Sequence, residues 1–141
     1  MATCMSVNGE YVRRLVADIK DSIRFINKVS SKPYTALGDA EKYAIRYNLI
    51  VIAEAIVALT IHIVRRVFSR EPETPMYALK ITRDKGLMTE DEYNDVRKLI
   101  RLRNLLLHRY WIIDDRRIYE DIRKDFKSLV RFIERVVKYV Q

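Results

Sequence analysis

His108 is one of two histidines in this chain of 141 residues; Arg103 lies five positions before it and Tyr110 two after. Imidazole titrates near pH ~6.5, so it can accept and return a proton under physiological conditions. The planar guanidinium of arginine matches two phosphate oxygens and stabilises charge that develops on them. This combination favours cleavage of RNA, in which the ribose 2′-hydroxyl supplies the nucleophile and no metal or other cofactor is needed.

The helix that carries His108 divides into two faces when its residues are placed ~100° apart. One face is a polar stripe of Arg97, Arg101, Asn104 and His108. We expect Asn104 to orient the imidazole or to bind phosphate. Arg97, Arg101 and the neighbouring Arg109 are candidate RNA contacts.

Arg103 and Tyr110 fall on a different, apolar face of this helix. The apolar residues of that face are Leu99, Ile100 and Leu107. An unpaired arginine in a dry core costs several kcal/mol, so Arg103 needs a carboxylate, a phosphate or a wet cleft. Glu54, the only acid in the apolar run 49–59 of a long helix, is a candidate partner, although it could also be a hydrogen-bonded acid of the core. His62 is expected to pack or to cap an interface.

Arg103 and His108 are separated by ~140° on a straight helix, so their side chains diverge. Either the helix bends or ends near His108, or residues from two chains converge on the phosphate. A twofold dimer that pairs its motif helices satisfies the second alternative.

The composition predicts an all-α fold in a single domain over residues 1–141. Three glycines and three prolines allow few turns, and 33% charged with 49% hydrophobic residues is typical of a globular protein. The net charge of +8 favours a polyanionic partner, although solvated helix faces would give the same charge. A single cysteine fits a reducing cytoplasm.

Hydrophobic periodicity predicts about four long helices and a short one. The first helices are expected over residues 8–29, 39–68 and 76–85. Gly86 should end the short helix, and Thr89 with Glu92 should form a capping box at the start of the motif helix. An N-cap at Asp114 or Asp115 should begin one last helix that reaches Val140.

The segment 39–68 is apolar enough to suggest a membrane-spanning helix. Glu54 and His62 interrupt its apolar run, and a carboxylate is costly at the centre of a bilayer. A central bundle helix, or a helix packed on both sides in a dimer, explains the composition better. We therefore expect no membrane association.

The spacing Arg-X4-His-X-Tyr of Arg103, His108 and Tyr110 resembles the signature of HEPN-domain ribonucleases. The longer stretch over residues 86–115 resembles the HepT toxin branch of that family. The resemblance implies an antiparallel HEPN helical bundle that forms a homodimer, with the active-site cleft between the two motif helices. It implies metal-independent cleavage of mRNA or tRNA, with Arg103 and His108 catalytic and Asn104 supporting them.

The resemblance also implies a genetic partner, the minimal nucleotidyltransferase antitoxin of HEPN/MNT toxin–antitoxin systems. In some such pairs the antitoxin transfers AMP to the motif tyrosine, which here is Tyr110, and an added phosphate would oppose RNA in the cleft. Simple occlusion by the antitoxin is the other possibility. The alternative function is a non-catalytic HEPN module that binds nucleotide, RNA or a protein partner.

Overall fold

The computed structural model describes residues 7–122 and 126–140, with Tyr110 described only in its backbone. Within these ranges the chain forms six α-helices and two 3-10 turns, without a strand. The helices are α1 (Gly9–Ser30), α2 (Asp39–Arg66), α3 (Pro75–Asp84), α4 (Glu90–His108), α5 (Asp115–Ile122) and α6 (Lys127–Val140). The 3-10 turns cover Tyr34–Ala36 and Tyr110–Ile112. The all-α prediction is confirmed.

The apolar helix α2 lies at the centre of the bundle and packs against α1, α3 and α4. By length and composition it could span a bilayer, but half of its most apolar window is buried within the fold. Six of its side chains have no exposed surface: Ile52, Ala53, Ile56, Leu59, Ile63 and Val64. The role of a central bundle helix therefore accounts for its apolar composition.

The long helices run antiparallel to their neighbours, as pairs of distant residues show. The backbone N–H of Asn8, before α1, donates to His62 near the end of α2. Buried Glu92 in the first turn of α4 is bound by Arg135 in the second half of α6. Each contact joins the beginning of one helix to the end of a helix packed beside it, as in an antiparallel bundle.

Helix ends follow the capping signals in the sequence. Gly86 has a φ of 81°, which suits glycine, and the next N–H, of Leu87, donates to Thr82 O at 3.1 Å. The α2 helix ends two residues before its predicted end. There Ser69 adopts a φ of 52°, and the N–H of Arg70 donates to Val64 O.

The predicted single helix after the motif is wrong, because α5 ends at Ile122 and α6 begins at Lys127. The two helices have different anchors. The Tyr119 hydroxyl of α5 donates to the carbonyl oxygens of Ser30 and Lys32, whereas α6 packs along α4. One straight helix would not serve both attachments.

Candidate active site

The start of the motif helix α4 is fixed by a capping box. Glu92 N–H donates to Thr89 Oγ1 at 3.2 Å, and Thr89 N–H donates to Glu92 Oε1 at 3.1 Å. The Glu92 carboxylate is fully buried and accepts hydrogen bonds from Arg135, with 3.0 Å between Nη2 and Oε2. Burial alone would raise the pKa of Glu92, but its hydrogen bonds with Arg135 and Thr89 outweigh burial and lower it.

Arg103 lies between α4 and α2 and is held by two side chains. Its Nε donates to Oε1 of Glu54, and its Nη1 donates to Oδ1 of Asn104 at 2.9 Å. The Arg103 side chain is 26% exposed and that of Glu54 is 50% exposed. Glu54 is therefore not a core acid. The pair joins α4 to α2 at the protein surface.

His108 is the last residue of α4, and its side chain is exposed. Arg109 caps the helix with a φ of −138° and donates its N–H to Leu105 O at 2.8 Å. Of the alternatives posed by the sequence, the helix does end at His108. Both motif residues still belong to the helix, however, and no hydrogen bond or ion pair joins Arg103 to His108 in the described ranges.

The polar stripe of α4 is only partly exposed. Arg101, Asn104 and His108 face solvent, as does Arg109. Arg97 is half-buried, with its guanidinium carbon 5.5 Å from the ring centroid of Tyr93. Its buried Nε has no hydrogen-bond partner among the described residues.

Sequence reasoning did not predict the partial burial of Arg97 or a second cation at the Tyr93 ring. Arg83 of α3 lies against the same Tyr93 ring, with its guanidinium carbon 4.2 Å from the centroid. Two cations therefore contact one aromatic ring at the α3–α4 junction. No signal in the sequence relates a cation on α3 to the polar stripe of α4.

The predicted apolar face of α4 is wrong at Leu107, which is 44% exposed. Leu106, which was not assigned to that face, is buried instead. The buried side of α4 is therefore shifted by one residue in the last turn, so the angular pattern of the preceding turns no longer marks the core there. Trp111 and Ile112 in the 3-10 turn are also exposed.

The segment after the motif is attached to α2 by a bidentate ion pair. Arg46 Nε and Nη2 each donate to a carboxylate oxygen of Asp115 at 2.8 Å. This bond is the largest cause of the raised pKa of Arg46. Of the two predicted N-caps, Asp114 caps α5, because its Oδ1 accepts hydrogen bonds from the N–H groups of Arg116 and Arg117.

Glu54 shares one face of α2 with Tyr43, Tyr47 and Val51. We call this the outer face of α2. Tyr43 and Tyr47 are exposed, and Val51 is half-buried without joining the described hydrophobic core. The sequence predicts that α2 is apolar on nearly all sides. It does not show which residues form the outer face. An apolar face beside a candidate site is typical of an interface.

The described residues contain no group of three histidine, cysteine, aspartate or glutamate side chains that could hold a metal ion. His62 lies in the second half of α2, farther from the motif residues than Glu54 is. Its Nε2 accepts the N–H of Asn8 at 3.1 Å, and its ring packs edge-on against Tyr11. These contacts give His62 a packing role.

A family model described as "Ribonuclease HepT-like" matches residues 16–136. The chain belongs to the HepT-like family. The match includes all of α2 and α4 and therefore both partners of the Arg103–Glu54 pair. A comparison with proteins of curated function gave no significant match for this HepT-like chain.

Solved structures share the HepT-like fold at low sequence identity. YutE from Bacillus subtilis, described as a cytosolic protein of unknown function, has a TM-score of 0.83 at 18% identity, over 96% of this chain and 92% of that chain. The tri-AMPylated HEPN toxin of Shewanella oneidensis, in complex with an MNT antitoxin, has a TM-score of 0.80 at 21% identity, over 92% and 97%. A toxin–antitoxin structure with AMP-PNP has a TM-score of 0.79 at 19% identity, over 89% and 97%.

Proposed function

We propose that this protein is the toxin of a HEPN/MNT toxin–antitoxin pair and acts in the cytoplasm as a metal-independent RNA endonuclease. One observation carries the proposal: Arg103, oriented by Glu54 and Asn104, and the exposed His108 occupy the last two turns of α4. In this proposal Arg103 supplies the phosphate-binding group and His108 the accessible proton carrier, and the membership of the chain in the HepT-like ribonuclease family supports it.

The chemistry needs only groups of the protein and the RNA. His108 takes the proton from a ribose 2′-hydroxyl as the 2′-oxygen forms a bond to phosphorus. The bond from phosphorus to the 5′-oxygen then breaks, and that oxygen takes up a proton. Arg103 stabilises the charge on the phosphoryl oxygens in the transition state. The products are a 2′,3′-cyclic phosphate and a 5′-hydroxyl.

We propose that the active unit is a homodimer. Within one chain Arg103 faces Glu54 on α2, whereas His108 projects from the helix end about 140° away. A second copy packed on the outer face of α2 would bring its own motif helix beside the first. A composite cleft would then hold two arginines and two histidines, so that one histidine serves as base and the other as acid.

RNA is the proposed substrate, as mRNA or tRNA. The chain has a net charge of +8, and the exposed Arg101, Asn104 and Arg109 border His108. Arginine at such positions neutralises phosphates and contributes affinity without sequence preference. Arg97 would extend this contact along α4 if its guanidinium left the Tyr93 ring.

The proposed antitoxin is a minimal nucleotidyltransferase that transfers AMP to Tyr110. Two supports are the position of this residue, in the 3-10 turn directly after α4, and the structural neighbour described as an AMPylated toxin with an MNT antitoxin. The side chain of Tyr110 lies outside the described residues. Mass spectrometry after coexpression with the antitoxin should detect added AMP units that Tyr110→Phe lacks; an inhibited but unmodified complex would indicate occlusion.

The nuclease proposal is tested with purified protein and total RNA in the presence of EDTA. Cleavage should persist in EDTA and disappear in His108→Ala. The matched control is His62→Gln, which changes the other histidine and should retain cleavage. Binding of RNA by the wild-type protein without cleavage would favour the non-catalytic interaction module, and an equally active His108→Ala variant would exclude His108 as the catalyst.

A further inference from the structure

Arg83 and Arg97 contact the same aromatic ring at the junction of α3 and α4. Their guanidinium carbons lie 4.2 and 5.5 Å from the centroid of the buried Tyr93 ring. The two carbons are therefore within about 10 Å of each other, and like charges at such a distance repel. The fold gathers two cations at one point, and an anion between them would remove the repulsion.

The turn between the two helices fixes this arrangement. Gly86 has a φ of 81°, and the N–H of Leu87 donates to Thr82 O, so α3 ends in a tight turn. The last turn of α3, with Arg83, consequently packs beside the first turns of α4, with Tyr93. Because neither arginine lies on the outer face of α2, the interface proposed for the dimer does not include this junction.

Arg97 is the less satisfied of the two arginines. Its buried Nε has no hydrogen-bond partner among the described residues, and none of their carboxylates forms an ion pair with it. A buried donor without an acceptor and a nearby like charge are both unfavourable, so the contact with the Tyr93 ring is a costly position for Arg97. A phosphate that draws the guanidinium off the ring would satisfy Nε and reduce the repulsion.

Arg83 is held by two exposed carboxylates. Its Nη2 lies 3.2 Å from Oδ1 of Asp84 and its Nη1 lies 3.6 Å from Oε1 of Glu90, and these acids are 55% and 67% exposed. Water and salt screen exposed pairs of this kind, so a phosphate can replace either acid at low cost. Arg83 is therefore available to an anion that also contacts Arg97.

Arg97 lies on the polar stripe of α4 that ends at His108. The two residues are about three helical turns apart, or about 16 Å along the axis. Arg101 and Asn104 lie between them and are exposed. At about 3.4 Å for each stacked nucleotide, this distance corresponds to about five nucleotides of one strand.

We propose that Arg83 and Arg97 together bind one backbone phosphate of the RNA strand, about five nucleotides from the bond that is cleaved at His108. The proposal rests on RNA as the substrate of the proposed function. A phosphate contact carries no sequence information, so the site would hold the strand along α4 without selecting bases. RNA longer than about five nucleotides would reach both ends of the polar stripe, whereas shorter RNA would reach only one.

Binding is measured with the full-length protein and a fluorescein-labelled oligouridylate of about 12 nucleotides, whose 2′-O-methyl groups prevent cleavage. Each phosphate contact on a single strand contributes about 0.7 to the slope of log K against log salt concentration. The double variant Arg83→Ala/Arg97→Ala should therefore bind about tenfold more weakly at low salt and lower the slope by about 0.7. A decrease near 1.4 would replace the shared site by two separate phosphate contacts, and an unchanged slope would exclude the site.

Single variants separate a phosphate contact from a change in net charge. Arg97→Ala should lower the slope, whereas Arg97→Lys, which keeps the charge, should retain most of it. Arg24→Ala removes an exposed arginine of α1 and is the matched control. If Arg24→Ala lowers the slope as much as Arg97→Ala does, the effect comes from net charge and the site is excluded.

A free nucleotide also carries phosphates, and ADP distinguishes this source from an RNA strand. We expect ADP to compete weakly with the oligouridylate, and to the same extent in the wild type and the double variant. If ADP binds the wild type at micromolar concentration but does not bind the double variant, the site is a nucleotide pocket and the strand contact is overturned.

Cleavable RNA separates a failure of this site from a failure of the nuclease. Arg97→Ala should raise KM about fivefold for the longer RNA at unchanged kcat, and should change neither constant for a trinucleotide, which cannot reach Arg97 from His108. The expected salt slopes without cleavage of total RNA would refute the nuclease alone. Cleavage with unchanged slopes would refute the site at Arg83 and Arg97 alone.

Discussion

Arg103 donates a hydrogen bond from Nε to Oε1 of Glu54, and this contact joins the motif helix to α2 at the candidate site. Asn104 accepts a second hydrogen bond from Nη1 of the same guanidinium. Two of the three guanidinium nitrogens are thus held by the protein, which fixes the plane of the group. Pre-orientation of a phosphate-binding fork lowers the entropy that is lost when the transition state forms.

Replacement of Glu54 should therefore lower activity without a matching loss of stability. We expect Glu54→Gln to lower the single-turnover rate of RNA cleavage about tenfold and Glu54→Ala about a hundredfold, because a loosened arginine is misplaced. Exposed ion pairs contribute about 1 kcal/mol or less to folding, so the thermal midpoint should change little. Glu71→Gln, which breaks the exposed pair with Arg65 near the far end of α2, is the control.

A double-mutant cycle separates positioning from a direct role. If Glu54 acts only through Arg103, Glu54→Ala should have almost no effect in an Arg103→Ala background. If each substitution lowers the cleavage rate by the same factor whether or not the other is present, Glu54 does not act through Arg103.

Val51 tests the proposed dimer. It lies on the outer face of α2, within one turn of Glu54, and is outside the described core. A charge there would be buried unpaired between two copies, so we expect Val51→Glu to give a monomer in light scattering and to abolish cleavage. Val51→Thr preserves the side-chain volume and should remain dimeric at high concentration. If the Val51→Glu protein is dimeric and active, the dimer interface does not lie on the outer face of α2.

Local signals accounted for much of the fold. The capping box at Thr89, the glycine after α3 and the need of Arg103 for an acid are each set by a few neighbouring residues or by one burial rule. The bidentate pair of Arg46 and Asp115 joins residues that are 69 positions apart, and no local pattern specifies it. The exposure of Leu107 and the burial of Leu106 likewise depend on which elements cover the last turn of α4, which is a property of packing rather than of periodicity.

The pair of Arg46 and Asp115 should control the segment that follows the motif. Both side chains are less than a quarter exposed, and the two hydrogen bonds are parallel. We expect Asp115→Asn to lower the free energy of unfolding by about 1–2 kcal/mol and to speed amide exchange in the 3-10 turn. Glu120→Gln, which changes a more exposed carboxyl group of the same helix, is the comparison. Equal exchange in both variants would show that the pair of Arg46 and Asp115 does not hold this segment.

Acid should destabilise the protein through Glu92. The folded-state pKa of this buried carboxyl is lowered, because its hydrogen bonds with Arg135 and Thr89 outweigh the effect of burial. Its stabilisation is therefore complete above the unfolded pKa of about 4.3 and is lost as the pH falls through the lower folded-state pKa. We expect Glu92→Gln to cost about 3 kcal/mol at neutral pH and to flatten the acid limb of urea unfolding, whereas the exposed Glu90→Gln should change little.

His62 should produce a second pH dependence in a higher range. Burial, followed by the nearby charge of Arg66, lowers the pKa of this imidazole, whose Nε2 accepts the N–H of Asn8. The unfolded chain then binds the proton more tightly than the folded protein does. The stability that depends on neutral His62 is therefore present above the unfolded pKa of about 6.5 and declines as the pH falls below it.

Urea unfolding at about pH 7.5 and about pH 5.5 measures this decline. His62→Gln can still accept the Asn8 N–H through its side-chain oxygen but cannot titrate, so the variant should lose less stability than the wild type over this interval. Because protonated His62 cannot accept that N–H, amide exchange at the start of α1 should also increase more in the wild type. Equal declines in the two proteins would show that His62 does not link the start of α1 to pH.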